Sequence, residues 1–107
     1  MDKITIEDFQ KIDLRTAKVK DAHMHPNSRK MIVLMLDLGD EEKQVLAGMK
    51  QWYSEEDFIG KTVVYVANLE PKIIGGVESN GMILAASAEK PVLLTTAEEV
   101  EPNTKIR

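Results

Sequence analysis

No apolar run in this chain is longer than the six residues Met31–Leu36. A membrane-spanning helix needs about 20, so none is expected. The sequence offers instead a series of short β-compatible segments punctuated by turns. From Leu14 onward, Leu14, Thr16, Lys18 and Lys20 alternate with Arg15, Ala17, Val19 and Asp21, which predicts a half-buried strand with Ala17 and Val19 as its inward pair. In His25-Pro26-Asn27-Ser28 the proline fixes its own φ and restricts His25, while Asn27 and Ser28 favour local side-chain-to-backbone bonds; the chain turns there, and the next strand starts near Lys30. Met31–Leu38 is apolar at nearly every position, so it is either a central strand or one covered on both sides. Leu38-Gly39-Asp40-Glu41-Glu42 is a hairpin-like turn into a short strand, Lys43–Ala47, which Gly48 ends.

Two helical pieces are short. Thr5 caps Ile6-Glu7-Asp8-Phe9, with Asp8 answering the free N–H groups and Ile6, Phe9 and Ile12 forming the apolar side. Ser54-Glu55-Glu56-Asp57 is a capped turn with its acids at the positive dipole end, anchored to the core by Phe58 and Ile59. After Gly60-Lys61, Thr62–Ala67 is the clearest β segment of the chain. Asn68–Gly81, with three glycines and one proline, reads as a long loop, and loops of that length inside a compact domain are uncommon unless functional. Met82–Ala86 and Pro91–Thr95 give two more strands before the acidic residues Glu98, Glu99 and Glu101. Five or six short strands with two small helices predict an all-β fold, a small barrel. A chain of 107 residues holds one modest core, hence a single domain over 1–107.

With no cysteine there is no disulfide framework, thiolate nucleophile or cysteine-based zinc site. Together with the absence of an apolar signal core after Met1-Asp2-Lys3 this suits a cytoplasmic protein. Fourteen Lys and Arg against 18 Asp and Glu give a net charge of −4, which argues against coating phosphate backbones by bulk charge. The charge is uneven, however. Residues 51–107 carry five basic residues against nine acidic ones and so hold the whole excess, while residues 11–30 carry six basic residues (Lys11, Arg15, Lys18, Lys20, Arg29, Lys30) against Asp13 and Asp21. A basic face on an acidic protein is consistent with that distribution.

Nothing assembles a catalytic site. His23 and His25 are the only imidazoles; as an H-x-H pair on an extended strand they would share a face and could ligate a metal, but no Asp or Cys completes the set, and a solvated turn entrance is the favoured reading. Glu55, Glu56 and Asp57 are adjacent on a helical turn and do not converge. There is no Walker loop, and Gly75-Gly76 with Gly81 lacks the spacing of a dinucleotide fingerprint. Trp52-Tyr53 is either a stacking platform for a base or the closure of one end of the core. Ser87 has no evident partner. No catalytic residue, metal or cofactor is expected.

The segment Asn68-Leu69-Glu70-Pro71-Lys72-Ile73-Ile74-Gly75-Gly76-Val77-Glu78-Ser79-Asn80-Gly81-Met82 resembles the signature of the tRNA-binding domain family. That family includes the C-terminal dimerisation domain, or separate β subunit, of methionyl-tRNA synthetase, free-standing tRNA-binding proteins and the CsaA-type secretion chaperones. Phe9-Gln10-Lys11-Ile12-Asp13-Leu14-Arg15 is similar to the family's opening, His25-Pro26-Asn27 with Lys30 to its second turn, Asp37-Leu38-Gly39 to its hairpin, and Ala47-Gly48 to the strand end that follows. The resemblance runs over residues 6–106 in the family's order. It implies a five-stranded oligonucleotide-binding (OB) barrel with short helices and additional C-terminal strands, a tRNA-binding OB-fold domain that works as a homodimer. It also implies a methionyl-tRNA synthetase catalytic chain as partner, beside which tRNA would be held. An OB barrel carries its ligand on one face and its flanking loops, and dimerisation would double the phosphate contacts without raising the charge of either subunit.

By the same resemblance Lys72, after Pro71, matches the family's basic position for a phosphate contact, its bland alternative being a solvated loop lysine. Ser79 and Met82 match a Ser-x-Gly-Met element, the hydroxyl bonding a phosphate or base edge and the thioether packing beneath a nucleotide; Met82 is equally the first core residue of its strand. Asn27, Arg29 and Lys30 border the other loop and would grip the backbone, whereas Arg15 is paired with Asp13. Asn68 fastens the loop to itself, Gly76 and Gly81 shape it, and Glu78 braces it. Many members carry two or three further basic residues where this chain has Glu70, Ile73 and Gly75. Lys72 stands alone there, which predicts weaker binding with a flatter salt dependence. Two other readings are a CsaA-like chaperone that takes extended polypeptide in an apolar dimer groove through Ile73, Ile74 and the Met residues, and a purely structural dimerisation domain.

Overall fold

The computed structural model describes all 107 residues. In chain order the elements are α1 (Ile6–Phe9), β1 (Leu14–Met24), β2 (Ile32–Asp37), β3 (Glu42–Ala47), a single 3-10 turn (Glu55–Asp57), β4 (Thr62–Val66), β5 (Lys72–Ile74), β6 (Val77–Ser79), β7 (Met82–Ile83), β8 (Ala85–Ser87), β9 (Pro91–Leu93) and β10 (Lys105–Ile106). Strands in the order β3-β2-β1-β4-β7 form a nearly closed antiparallel barrel, the OB-like all-β architecture expected. Two small hairpins, β5–β6 and β8–β9, are appended to it.

The alternation that predicts β1 makes it the hub. Its first half pairs with β4, from Leu14↔Val66 to Lys18↔Thr62, and its second half with β2, from Lys18↔Asp37 to Met24↔Ile32. The register slips between Val19 and Asp21. Such a bulge leaves a residue unpaired and bends the strand, and here it also shifts the phase of burial. Ala17 and Val19 face the core before it and Ala22 after it, although 19 and 22 are an odd distance apart. The strand therefore runs on to Met24, beyond the reach of the simple alternation.

Both readings of Met31–Leu38 hold together. β2 lies between β1 and β3, and Ile32, Val33, Leu34 and Leu36 are all buried. Val19, Val45, Phe58 and Val63 are buried with them, each worth about 1.5–3 kcal/mol relative to exposure. Phe58 is anchored as expected and meets Tyr53 edge-on at 5.8 Å. Ile59 is not: it is 46% exposed, because the turn carries it to the outer side. At the N-terminus Thr5 does cap α1, its Oγ accepting the Asp8 N–H at 3.1 Å. The apolar side of α1 is uncovered, however, with Ile6, Phe9 and Ile12 all exposed.

Two further differences from the sequence expectation concern the second half, and one expectation, an additional C-terminal strand, holds there. Asn68–Gly81 is not an irregular loop but encloses the β5–β6 hairpin, in register from Lys72↔Ser79 to Ile74↔Val77. Met82–Ala86 is not one strand: β7 pairs with β4 and β8 with β9, the change of partner falling at Leu84. The C-terminal residues return to the barrel as β10, with Leu14↔Ile106 and Arg15↔Lys105. There they cover buried Thr16, whose hydroxyl donates to the Glu101 carbonyl (2.8 Å) and accepts the Thr104 N–H (2.9 Å). No helix is long and apolar enough to cross a membrane.

Candidate functional site

The β5–β6 hairpin exists because of two residues at its tip. Gly75 and Gly76 both have positive φ, +59° and +81°, the conformation of a two-residue type I′ turn whose twist matches paired strands. Three bonds dock β6 onto the edge of β3. Ser79 Oγ accepts the Leu46 N–H at 2.9 Å, Gln44 Nε2 donates to the Glu78 carbonyl at 2.8 Å, and the Asn80 N–H donates to the Gln44 carbonyl at 2.8 Å. Ser79 is buried, and its hydroxyl also donates to the Gly81 carbonyl at 2.9 Å. Glu78 contributes to the bracing through its backbone.

At the hairpin's root Asn68 does not fasten the segment to itself. Its Oδ1 accepts the Asp13 N–H (2.8 Å) and its Nδ2 donates to the Lys11 carbonyl (2.6 Å), which ties the segment to the N-terminal entry of β1. Gly81, with φ +102°, lets the chain pass tightly over Tyr65 and Val66. Burial pushes the Tyr65 phenol above its ordinary 10.0, and its O–H donates to the Asn80 carbonyl.

Between hairpin and barrel lies an open groove of about 580 Å³, lined by Leu46, Asn68, Leu69, Glu70, Lys72, Ile74, Ser79, Gly81 and Met82. Lys72, Ser79, Met82, Asn68 and Gly81 are thus brought together, while Pro71, Gly76 and Glu78 shape the hairpin outside the lining. Met82 is 43% exposed, so it is not a core residue of its strand. Leu69 and Ile73 are also exposed.

Asn27, Arg29 and Lys30 are not in this lining. They belong to a neighbouring turn that meets the hairpin tip, Asn27 Nδ2 donating to the Gly75 carbonyl at 3.4 Å. Lys50 holds the turn from behind, its Nζ donating to the carbonyls of His25 (2.9 Å) and Ser28 (2.7 Å). Sequence reasoning missed Lys50 and misplaced His25. His25 is not at a solvated entrance but fully buried, because Gly75 leaves room for its ring, whereas His23 is exposed. The two imidazoles therefore do not share a face. Of the aromatic pair, Tyr53 closes the core end, its O–H donating to the Pro91 carbonyl at 2.6 Å, and Trp52 is exposed beside β9.

The basic stretch 11–30 is half neutralised. Lys11 pairs with Asp8 (3.4 Å), Arg15 with Asp13 (2.8 Å) and Lys20 with Glu42. Arg29, Lys30 and Lys72 form no ion pair, and all three are exposed. Asp13 also accepts from Lys105 Nζ at 3.1 Å, linking β10 to β1. That bond, with the Arg15 guanidinium, holds its carboxyl below the ordinary 3.8. A lowered folded-state value means stability that is fully present above pH 3.8 and is lost as the pH falls through the folded value. Asp13→Asn should therefore flatten the acid limb of the stability profile, as urea melts between about pH 2 and pH 5 would register.

Residues 14–105 match a family model described as "Putative tRNA binding domain". The chain is 49% identical over 104 residues to methionine–tRNA ligase of Thermotoga maritima, covering 96% of this chain and 16% of that protein. It is 48% identical over 106 residues to the ligase of Archaeoglobus fulgidus, covering 98% and 16%. The chain spans about a sixth of the length of these curated relatives. Among solved structures, the MetRS related protein from Pyrococcus horikoshii superposes with a TM-score of 0.94 at 32% identity, each chain covered over 100% of its length. Chaperone CsaA from Bacillus anthracis gives 0.90 at 34% identity, covering 99% of this chain and 100% of that one.

Proposed function

Because the chain belongs to the tRNA-binding domain family, we propose that it is a non-catalytic, cytoplasmic module that holds tRNA beside a methionyl-tRNA synthetase catalytic chain. The observation that carries this reading is the trio Arg29, Lys30 and Lys72. They are exposed cations without carboxylate partners, on two lips joined at the hairpin tip, beside a groove with apolar walls. Phosphates would lie along the cations, where contacts fix register without reading sequence, and a nucleotide would pack on Met82 and Ile74. The ligase relatives are about six times longer than this chain. The module's contribution would be effective concentration, tRNA captured near a reacting centre built by other residues. In a fluorescence titration with labelled tRNA at low ionic strength, Lys72→Ala should weaken binding and lower the salt slope by about 0.7–0.9, one phosphate contact. An unchanged slope would remove Lys72 from the contact set.

The proposed homodimer would bury the uncovered side of α1. Ile6, Phe9 and Ile12 line a cleft there with Ile106 of β10. Phe9→Asp is expected to turn a dimer into a monomer at micromolar concentration in sedimentation; a wild-type monomer would dispose of the composite surface.

A second reading has its own observation. The likeness to the CsaA chaperone comes with apolar side chains exposed around the groove, Ile73 at 68%, Leu69 at 46% and Met82 at 43%. A peptide-binding module should hold an unfolded apolar peptide at high salt, where phosphate contacts fail. Loss of peptide binding at high salt would count against it.

A further inference from the structure

The imidazole of His25 stands at the junction of the two cationic lips. Its Nδ1 accepts the Asn27 N–H at 2.9 Å, which puts the ring proton on Nε2, and Nε2 donates to the Ile74 carbonyl at 2.8 Å. One neutral ring thus bonds its own turn with one nitrogen and β5 with the other. The space for it is made by glycine: a Cβ on Gly75 would lie 2.7 Å from the ring's Cε1. Behind the ring the Lys50 N–H donates to the Lys30 carbonyl at 3.1 Å while Lys50 Nζ holds the His25 carbonyl, so Arg29 and Lys30 sit in a turn fixed at both ends.

The hairpin needs such a tie because its docking bonds are on the wrong strand for Lys72. Ser79, the Glu78 carbonyl and Asn80 hold β6 and its C-terminal end to β3. β5, which carries Lys72, pairs with β6 alone. Ile74, the residue that His25 grips, projects on the same side of β5 as Lys72, two positions away.

We propose that His25 is a positioning residue for RNA: by bridging the 25–30 turn and β5 it fixes the separation between Arg29–Lys30 and Lys72, so that both lips meet phosphates of one strand at once. This rests on the tRNA reading. A preorganised pair of lips binds without first ordering the hairpin, a cost that falls on affinity when it has to be met during association.

Two substitutions separate the halves of the bridge. His25→Asn keeps an acceptor for the Asn27 N–H but is too short to reach the Ile74 carbonyl; His25→Gln can present an amide N–H where Nε2 donates. With folding checked by thermal melting, the salt dependence of tRNA binding is measured for wild type, both variants, and His25→Asn combined with Lys72→Ala. His25→Asn should bind more weakly, with a slope lower by about 0.7–0.9, the worth of one phosphate contact. His25→Gln should recover most of it, and adding Lys72→Ala to His25→Asn should cost little more slope, because the contact is already lost. A change in stability alone would not move the slope. Wild-type binding with an undiminished slope in folded His25→Asn overturns the positioning role by itself. A wild-type chain that binds no tRNA at low salt overturns this role and the functional reading together. If His25→Asn does not fold, His25→Gln decides: a wild-type slope supports the bridge to Ile74, and a slope lowered as far as that of Lys72→Ala overturns it.

Discussion

Gly81→Ala is expected to destabilise the protein by about 3–5 kcal/mol, combining a strained backbone and a collision inside a packed site. At φ +102° an L side chain is strained whatever the space, and here there is none. The new Cβ would lie 2.4 Å from the Val66 carbonyl oxygen and 2.6 Å from Cε1 of Tyr65. Neither neighbour is a flexible chain end. The carbonyl belongs to β4 of the barrel, and the Tyr65 ring is buried and held by its bond to the Asn80 carbonyl. Gly76→Ala is the comparison: φ is +81° there but nothing lies within 4 Å, so strain of about 1–2 kcal/mol is the whole cost. Urea denaturation of both variants measures the difference. Equal costs would mean that the close approach of Gly81 to Tyr65 is unimportant.

The second large effect is on binding. Arg29→Ala, Lys30→Ala and Lys72→Ala combined should reduce tRNA affinity by about 10- to 100-fold at low ionic strength and take roughly 2–3 off the salt slope. The fold should survive, because none of the three side chains is in an ion pair. The matched control is Lys11→Ala with Lys20→Ala, two lysines from the same basic stretch that already face Asp8 and Glu42. Removing exposed pairs of that kind changes stability little, and on this account leaves affinity close to wild type. A fall in salt slope in the double variant of about two-thirds that in the triple one, in proportion to the charges removed, would mean that overall charge, not the two lips, attracts RNA.

The barrel was legible because its strands carry pattern. Ala17 and Val19 alternate with polar neighbours, and β2 is apolar on both faces because both are covered, Ile32, Leu34 and Leu36 being buried on one and Val33 on the other. What stayed hidden was set by partners distant in sequence. The bulge after Val19 is defined by the register with β2, and burial of Ala22 follows from it. β10 is two residues long and carries no periodicity. His25 is buried by Gly75, 50 positions away, and Lys11 and Lys20 are paired with carboxylates that composition cannot locate. The β5–β6 hairpin is a different matter, since its signal was present: Gly75-Gly76 between β-branched residues is a two-residue turn pattern, masked by strands only three residues long. For the candidate site the family resemblance supplied a list of residues, of which Asn68, Lys72, Ser79, Gly81 and Met82 line the groove. Its arrangement, with Ser79 committed inside and Asn68 tied to Lys11 and Asp13, was not legible.

Exposed cations on two joined lips are proposed to hold the phosphates of tRNA. The logarithm of the binding constant for labelled tRNA, followed against the logarithm of salt concentration, tests that proposal most directly. Three phosphate contacts per chain predict a slope of about −2 to −3, and roughly twice that if two chains grip one tRNA. No binding at low ionic strength, or a slope near zero, would contradict it.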